Sequence, residues 1–298
     1  MTRLVLATRR SPLALAQARA FVRDLIAATP GLEVEELHVV TTGDRVTNVP
    51  LSQVGGKGLF TKEIEEALAD GRAGFAVHSF KDVPAEVSSA FVMAAVPRRA
   101  SPCDALVSSS GATLAQLPAG ARVGTSSLRR ALQLRAVRPD LAISEVRGNV
   151  DTRLRKLDEG TFDAIVLARA GLDRLGLGDR ATETIDPGLS IPAAGQGALA
   201  IECRSDDAAT RAIIAKMHDA DTGTAVACER GVMAAVGGGC TVPFGAFATR
   251  RGDELWLRAT LAEQDGSRAR RIERVAPWPA TEAEADALGR DAGSELLR

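Results

Sequence analysis

The chain has 298 residues, enough for two or three domains and for a core that needs no disulfide or metal to fold. Its 37 Lys and Arg face 38 Asp and Glu, a net charge of -1, and aromatics make up 3% with no Tyr. This excludes a whole-chain nucleic-acid or acidic-membrane binder and a base-stacking platform.

Among the basic residues, 32 are Arg and 5 are Lys. Cys103, Cys203, Cys228 and Cys240 show no CxxC spacing, and His38, His78 and His218 show no ligand spacing, so no metal is expected. A disulfide scaffold is not expected at this size and cysteine density. No apolar run approaches the ~20 residues of a membrane helix. Arg9-Arg10 has the paired arginines of a twin-arginine export signal, but Gln17, Arg19, Arg23 and Asp24 break the apolar core such a signal needs. The reading is mature structure and a cytoplasmic protein.

In chain order, residues 3–8 read as a buried strand. Ser11 caps a helix that opens on Pro12, whose missing N–H costs nothing there, and runs to about Ala28. A second strand covers 34–40. A polar stretch reaches Gly58, and Leu59 to Asp70 is helical by period, stopped by Gly71. Phe75-Ala76-Val77 begins a strand that ends in His78-Ser79-Phe80-Lys81-Asp82-Val83-Pro84. A break follows at 97–102. Strands 121–124, 141–146 and 163–167 then lead into helices 127–137, 150–159 and 170–175, a rhythm that predicts a parallel, helix-covered sheet. A hinge-like stretch occupies 191–197. Beyond about 220 a small-residue helix (224–236), strands near 244–250, 254–262 and 268–275, and a closing helix from about 281 predict a small α+β unit.

Ligands of open parallel sheets bind beyond the carboxyl ends of the strands. Polar residues gather at those ends: Arg9 and Ser11; Lys81 and Asp82; Thr125, Ser126, Ser127, Arg129 and Arg130; Arg147, Asn149 and Arg153; and Arg174. Arg129 and Arg130 stand in the first turn of a helix, where the macrodipole disfavours cations. They make sense if an anion absorbs both forks. Asp82 is the one acid embedded among these basic strand ends. It reads either as a turn carboxylate, paired with Lys81 or bonded to backbone N–H groups, or as a group for proton transfer and cation stabilisation. Cys240 follows Gly237-Gly238-Gly239 on an irregular loop, and as a loop thiol it is a candidate nucleophile or attachment point. Cys228, Cys203 and Cys103 read as core cysteines. Gly55-Gly56-Lys57-Gly58 lacks the spacing of a nucleotide phosphate loop.

His78-Ser79-Phe80-Lys81-Asp82-Val83-Pro84, Gly124-Thr125-Ser126-Ser127-Leu128-Arg129-Arg130, Arg147-Gly148-Asn149-Val150 and Gly238-Gly239-Cys240 together resemble hydroxymethylbilane synthase, also called porphobilinogen deaminase. Ala7-Thr8-Arg9-Arg10-Ser11-Pro12-Leu13-Ala14 and Ile201-Glu202-Cys203-Arg204 fit as well, in family order along the whole chain. The larger residue expected before Gly238 is replaced by Gly237.

The resemblance implies an α/β fold of two periplasmic-binding-protein-like βα lobes facing a cleft, plus a small α+β C-terminal domain. It divides the chain into 1–97 with 198–216, 103–191 and 220–298. It implies a dipyrromethane cofactor joined to Cys240 by a thioether, and four porphobilinogen units added in turn, each losing ammonia, before hydrolysis releases hydroxymethylbilane. Asp82 takes the catalytic role. Cys240, Ser79, Lys81, Asp82, Thr125, Ser127, Arg129, Arg130, Arg147 and Asn149 hold the cofactor. Arg9, Ser11, Gln17, Arg147, Arg153, Arg174 and Gln196 hold substrate, and Lys57 and Phe60 belong to a lid. The implied partner is porphobilinogen, with no nucleic acid and no membrane, and the implied state is a monomer. Arg forks suit this substrate, because each porphobilinogen carries an acetate and a propionate and Arg binds carboxylates bidentately. The competing reading is a two-lobed anion- or polycarboxylate-binding protein without catalysis. A third, a thiol hydrolase built on Cys240, lacks an evident base.

Overall fold

The computed structural model describes residues 2–45, 61–238 and 242–298. The chain forms two compact units, residues 1–99 with 198–223, and 100–197 with 224–298.

The first unit is built on a five-stranded sheet. Strand β1 (Thr2–Arg9) leads into helix α1 (Pro12–Ala28), and β2 (Leu32–Val39) follows. The cap of α1 is as the sequence predicts: Ser11 Oγ accepts from Ala14 N at 3.3 Å and Pro12 opens the helix. Helix α2 (Lys62–Ala69) and strands β3 (Phe75–Ser79) and β4 (Phe91–Ala95) complete the first pass. The chain returns much later as β10 (Leu199–Arg204) and helix α6 (Ala208–Ile214). The order is β2-β1-β3-β10-β4. β1 pairs in parallel with β2 and β3, whereas β10 runs antiparallel to both β3 and β4. One face packs Phe21 and Leu25 of α1 against Leu6, Phe75 and Ile201. The other packs Ile64 and Leu68 of α2 against Ala7 and Ala76. Each such fully buried Leu, Ile or Phe stabilises the fold by about 1.5–3 kcal/mol.

The second unit repeats the plan. β5 (Asp104–Ser108), β6 (Arg122–Gly124), α3 (Leu128–Val137), β7 (Ala142–Ser144), α4 (Val150–Asp158), β8 (Ala164–Ala168), α5 (Arg169–Arg174) and β9 (Glu183–Ile185) form a sheet of order β7-β6-β8-β5-β9. β6 is parallel to β7 and β8, and β5 is antiparallel to β8 and β9. The three strands of the βα rhythm, β6, β7 and β8, are parallel neighbours as expected, and the antiparallel pairs come from β5, which the rhythm did not include. In each sheet the fourth strand runs the other way, and neither β5 nor β10 follows a helical crossover that would impose parallel pairing.

Helix α7 (Ala220–Ala235) leads to an antiparallel sheet of β11 (Phe244–Arg251), β12 (Glu254–Leu261) and β13 (Arg270–Pro277), and α8 (Glu282–Leu296) closes the chain. α7 begins four residues earlier than the 224 expected. It packs on α8 through glycines: a Cβ on Gly289 would meet Cys228 O at 1.9 Å, and one on Gly231 would meet Asp286 O at 2.2 Å.

Candidate active site

In the first unit, the carboxyl ends of β1 and β3 lie side by side because the strands are parallel neighbours. Arg9, Ser11, Gln17, Thr61, His78, Ser79 and Asp82 line one pocket there. Gln17 is buried on α1 and donates through Nε2 to Ser79 Oγ at 3.0 Å. Phe80–Asp82 makes a 3₁₀ turn just past β3, anchored where Phe80 N donates to Ala198 O at 3.1 Å. The turn holds Phe80 in the core and leaves Asp82 exposed, with Lys81 half-buried. Among the described residues no hydrogen bond or ion pair engages the Asp82 carboxylate, so the turn-carboxylate alternative paired with Lys81 is not the arrangement found. Arg9, Ser11, Gln17, Ser79 and Asp82, all expected from the sequence, are thus brought together.

Two acids given no role from the sequence lie on the α2 face of this sheet, next to the pocket residue His78. Glu202 on β10, 1% exposed, lies 2.8 Å from His78 Nε2 through its Oε2. Glu65 on α2 is half-buried, and burial, then the charge of Glu202, push its carboxyl above the ordinary value. The signal was present in Ile201-Glu202-Cys203, an acid within an apolar run, which a buried strand tolerates only with a partner.

In the second unit the anion at the start of α3 is the chain's own. Asp104, 0% exposed at the head of β5, accepts from Arg129 Nη1 at 2.9 Å and Nη2 at 3.2 Å, and from Arg130 Nε at 2.9 Å. Ser190 Oγ and Gln196 Nε2 each add a donor at 2.9 Å. Arg129 also donates to Ile191 O at 2.6 Å, and Arg130 to Val166 O at 3.1 Å. Burial alone would raise the Asp104 carboxyl; the two guanidiniums override it and hold it far below the usual carboxylate range. An internal carboxylate thus takes part of the donors of Arg129, Arg130 and Gln196, three of the side chains expected to hold ligand.

The remaining arginines differ. Arg153 on α4 donates to Gly148 O at 2.8 Å and Arg174 on α5 to Gly197 O at 2.7 Å. Among the described residues neither has an acidic partner at ion-pair distance. Burial lowers both to about 10, with Arg130 contributing at Arg153, so both stay charged at neutral pH. Arg147 is half-buried and bonds Glu145 Oε1 at 2.9 Å. Thr125 is buried and accepts from Ser127 N at 3.2 Å, Ser127 caps α3, and Asn149 stands exposed at the start of α4.

Cys240, Lys57 and Phe60 lie outside the described residues. Cys203 and Cys228 are buried core thiols as expected, pushed up to about 11 and about 12 by burial. Cys103 is half-buried instead. Among the described residues no metal-binding cluster occurs, and no helix is long and apolar enough to cross a membrane.

Residues 4–212 match the family model of the porphobilinogen deaminase dipyromethane cofactor binding domain, and residues 224–298 that of the porphobilinogen deaminase C-terminal domain. A curated porphobilinogen deaminase of Sorangium cellulosum (strain So ce56) is 61% identical over 297 residues, covering 100% of this chain and 99% of the relative. That of Roseiflexus sp. (strain RS-1) is 52% identical over 272 residues, covering 91% and 89%. Two solved structures are more distant matches. A YaeC-family lipoprotein of Enterococcus faecalis has 14% identity and a TM-score of 0.41, over 75% of this chain and 94% of that one. A probable amino-acid ABC transporter extracellular-binding protein of Bacillus subtilis has 11% identity and a TM-score of 0.41, over 73% and 90%.

Proposed function

The chain belongs to the porphobilinogen deaminase family, and from that membership we infer that it condenses four porphobilinogen molecules, each losing ammonia, on a dipyrromethane cofactor and releases hydroxymethylbilane by hydrolysis. It is a transferase of tetrapyrrole biosynthesis. The observation that carries the mechanism is Asp82, an exposed carboxylate on a pocket wall shared with Arg9, Ser11, Gln17 and Ser79.

The donor set suits a polycarboxylate. Arg153 and Arg174 have lost hydration to burial and, among the described residues, donate to carbonyls, so a bound carboxylate would give each guanidinium a charged partner. We assign Arg9, Ser11, Gln17, Arg147, Arg153, Arg174 and Gln196 to substrate. Ser79, Lys81, Thr125, Ser127 and Asn149 supply donors to the cofactor. Arg129 and Arg130, fixed by Asp104, add positive charge and their remaining N–H groups. When bound, dipyrromethane supplies the pyrrole carbon to which the first substrate is joined, and Cys240 is its thioether attachment. Loss of ammonia from porphobilinogen leaves a cation. Asp82 stabilises that cation electrostatically and accepts a hydrogen bond from its N–H. The carboxylate also lies where it can take part in proton transfer. Lys57 and Phe60 keep the lid role. We take the chain to act as a cytoplasmic monomer of three domains, 1–97 with 198–216, 103–191 and 220–298.

Intact-protein mass spectrometry under denaturing conditions tests this, before and after addition of porphobilinogen. The expected result is a dipyrrole adduct on the parent chain, a ladder of pyrrole additions with substrate, and neither on Cys240→Ser. Asp82→Asn is expected to keep the adduct and lose about a hundredfold or more in turnover. A folded chain with no adduct under either condition would return the reading to an anion-binding protein.

A further inference from the structure

Asp82 stands one 3₁₀ turn past the end of β3, so its position depends on how that strand end is held. Successive side chains of a strand point to opposite faces. Ser79 faces α1 and bonds Gln17. His78 faces the other way, toward β10, and bonds Glu202 there at 2.8 Å. The strand end is therefore clamped on both faces, and His78 lines the same pocket as Asp82. His78 is 7% exposed and Glu202 1%. A buried ionisable pair is a poor device for stability alone, because desolvating both groups cancels much of their attraction and an apolar pair of similar size does as well. The binding and chemistry assigned above use neither residue. Leu199 pairs with Ser79 and Ala200 with His78, so β10 lies against β3 right up to the point where the catalytic turn begins.

We propose that His78 and Glu202 are a positioning pair for Asp82: their bond sets the direction in which β3 ends and hence where the Asp82 carboxylate meets the reacting porphobilinogen. The proposal rests on the role given to Asp82 above. An error of about 1 Å in a catalytic group costs up to about a hundredfold in rate.

The test compares the full chain, its cofactor loading verified by intact mass, with the double variant His78→Phe/Glu202→Leu and with Glu202→Gln. Replacing both partners by apolar groups leaves no buried charge unpaired, so the double variant is expected to melt close to the parent and to load cofactor. Its kcat is expected to fall about tenfold to a hundredfold, with KM for porphobilinogen within about twofold of the parent. Glu202→Gln keeps an acceptor for the imidazole and is expected to recover kcat to within about threefold. The carboxyl ¹³C signal of Asp82 should move in the double variant and stay in Glu202→Gln. Parental kcat in the double variant would overturn the proposal. So would a loss that merely follows the folded or loaded fraction, or one confined to KM. A parent chain that loads no dipyrrole and consumes no porphobilinogen would instead overturn the enzymatic reading beneath it.

Discussion

Asp104→Asn keeps the shape of its side chain but removes the charge that faces two buried guanidiniums. Breaking a buried pair from one side leaves an unpaired charge in a medium that solvates it poorly, at a cost of about 3–5 kcal/mol. Urea unfolding of the variant should show a midpoint lowered accordingly, with the m-value unchanged. An unshifted midpoint would mean that water or a solute ion replaces the carboxylate freely. Arg129 and Arg130 were legible in the sequence because two cations in the first turn of a helix ask for an anion. The identity of that anion was not. Asp104 follows Ser101-Pro102-Cys103 with no local mark of burial, and its partners lie 25 and 26 residues away. Asp82 was legible for the opposite reason, as the single acid in a basic strand end, and the structure leaves it exposed at the pocket.

Helices α7 and α8 approach so closely that there is no room for one more methyl group. Gly289, Gly231 and Gly293 would each bring a Cβ within 2.7 Å of the facing helix. Gly289→Ala must push Cys228 O away, and overpacking of this kind costs about 1–3 kcal/mol even though Ala is the better helix former. A drop in melting temperature checks this; a rise would show that the helices separate without penalty. At this scale the sequence was a good guide to helices and caps. Ser11 caps α1 as expected, and Ser127 and Thr281, near the helix starts expected at 127 and about 281, cap α3 and α8. It was a poorer guide to β4, β5 and β10. β4 and β5 flank a Pro-rich stretch read as a break, and β10 follows one read as a hinge. Nothing local marks β10 as an antiparallel insertion between β3 and β4, because its partners lie far away in the chain.

Across the whole molecule, acid should unfold the protein in a definite window. Glu36 is lowered to about 2, chiefly by its hydrogen bond from Arg19, and Asp104 is lowered further. Both carboxyls are depressed in the fold, so the stability they confer is present above the unfolded value of about 4 and is lost as pH falls through the folded values. Glu65 runs the other way: its raised carboxyl lets the folded chain bind a proton first, which offsets part of the loss. The urea midpoint should therefore stay level from about pH 7 to pH 5 and fall below about pH 4, less steeply in Glu36→Gln. A midpoint that drops between pH 7 and 5 would point to other groups. The α/β class was legible because βα alternation is a local rhythm. The reversed fourth strand of each sheet was not, since it is a property of pairing across the chain.

The late return of the chain to its first unit has a consequence for biosynthesis. A ribosome delivers β1 to β4 early, and then makes the entire second five-stranded sheet before β10 emerges. Until then β3 and β4 have no strand between them, and the nascent chain carries two open, largely apolar edges that could pair with the wrong partner. Glu202 arrives on that same last strand. The arginine-bearing sheet can therefore be complete while the turn that carries Asp82 still lacks the strand that backs it.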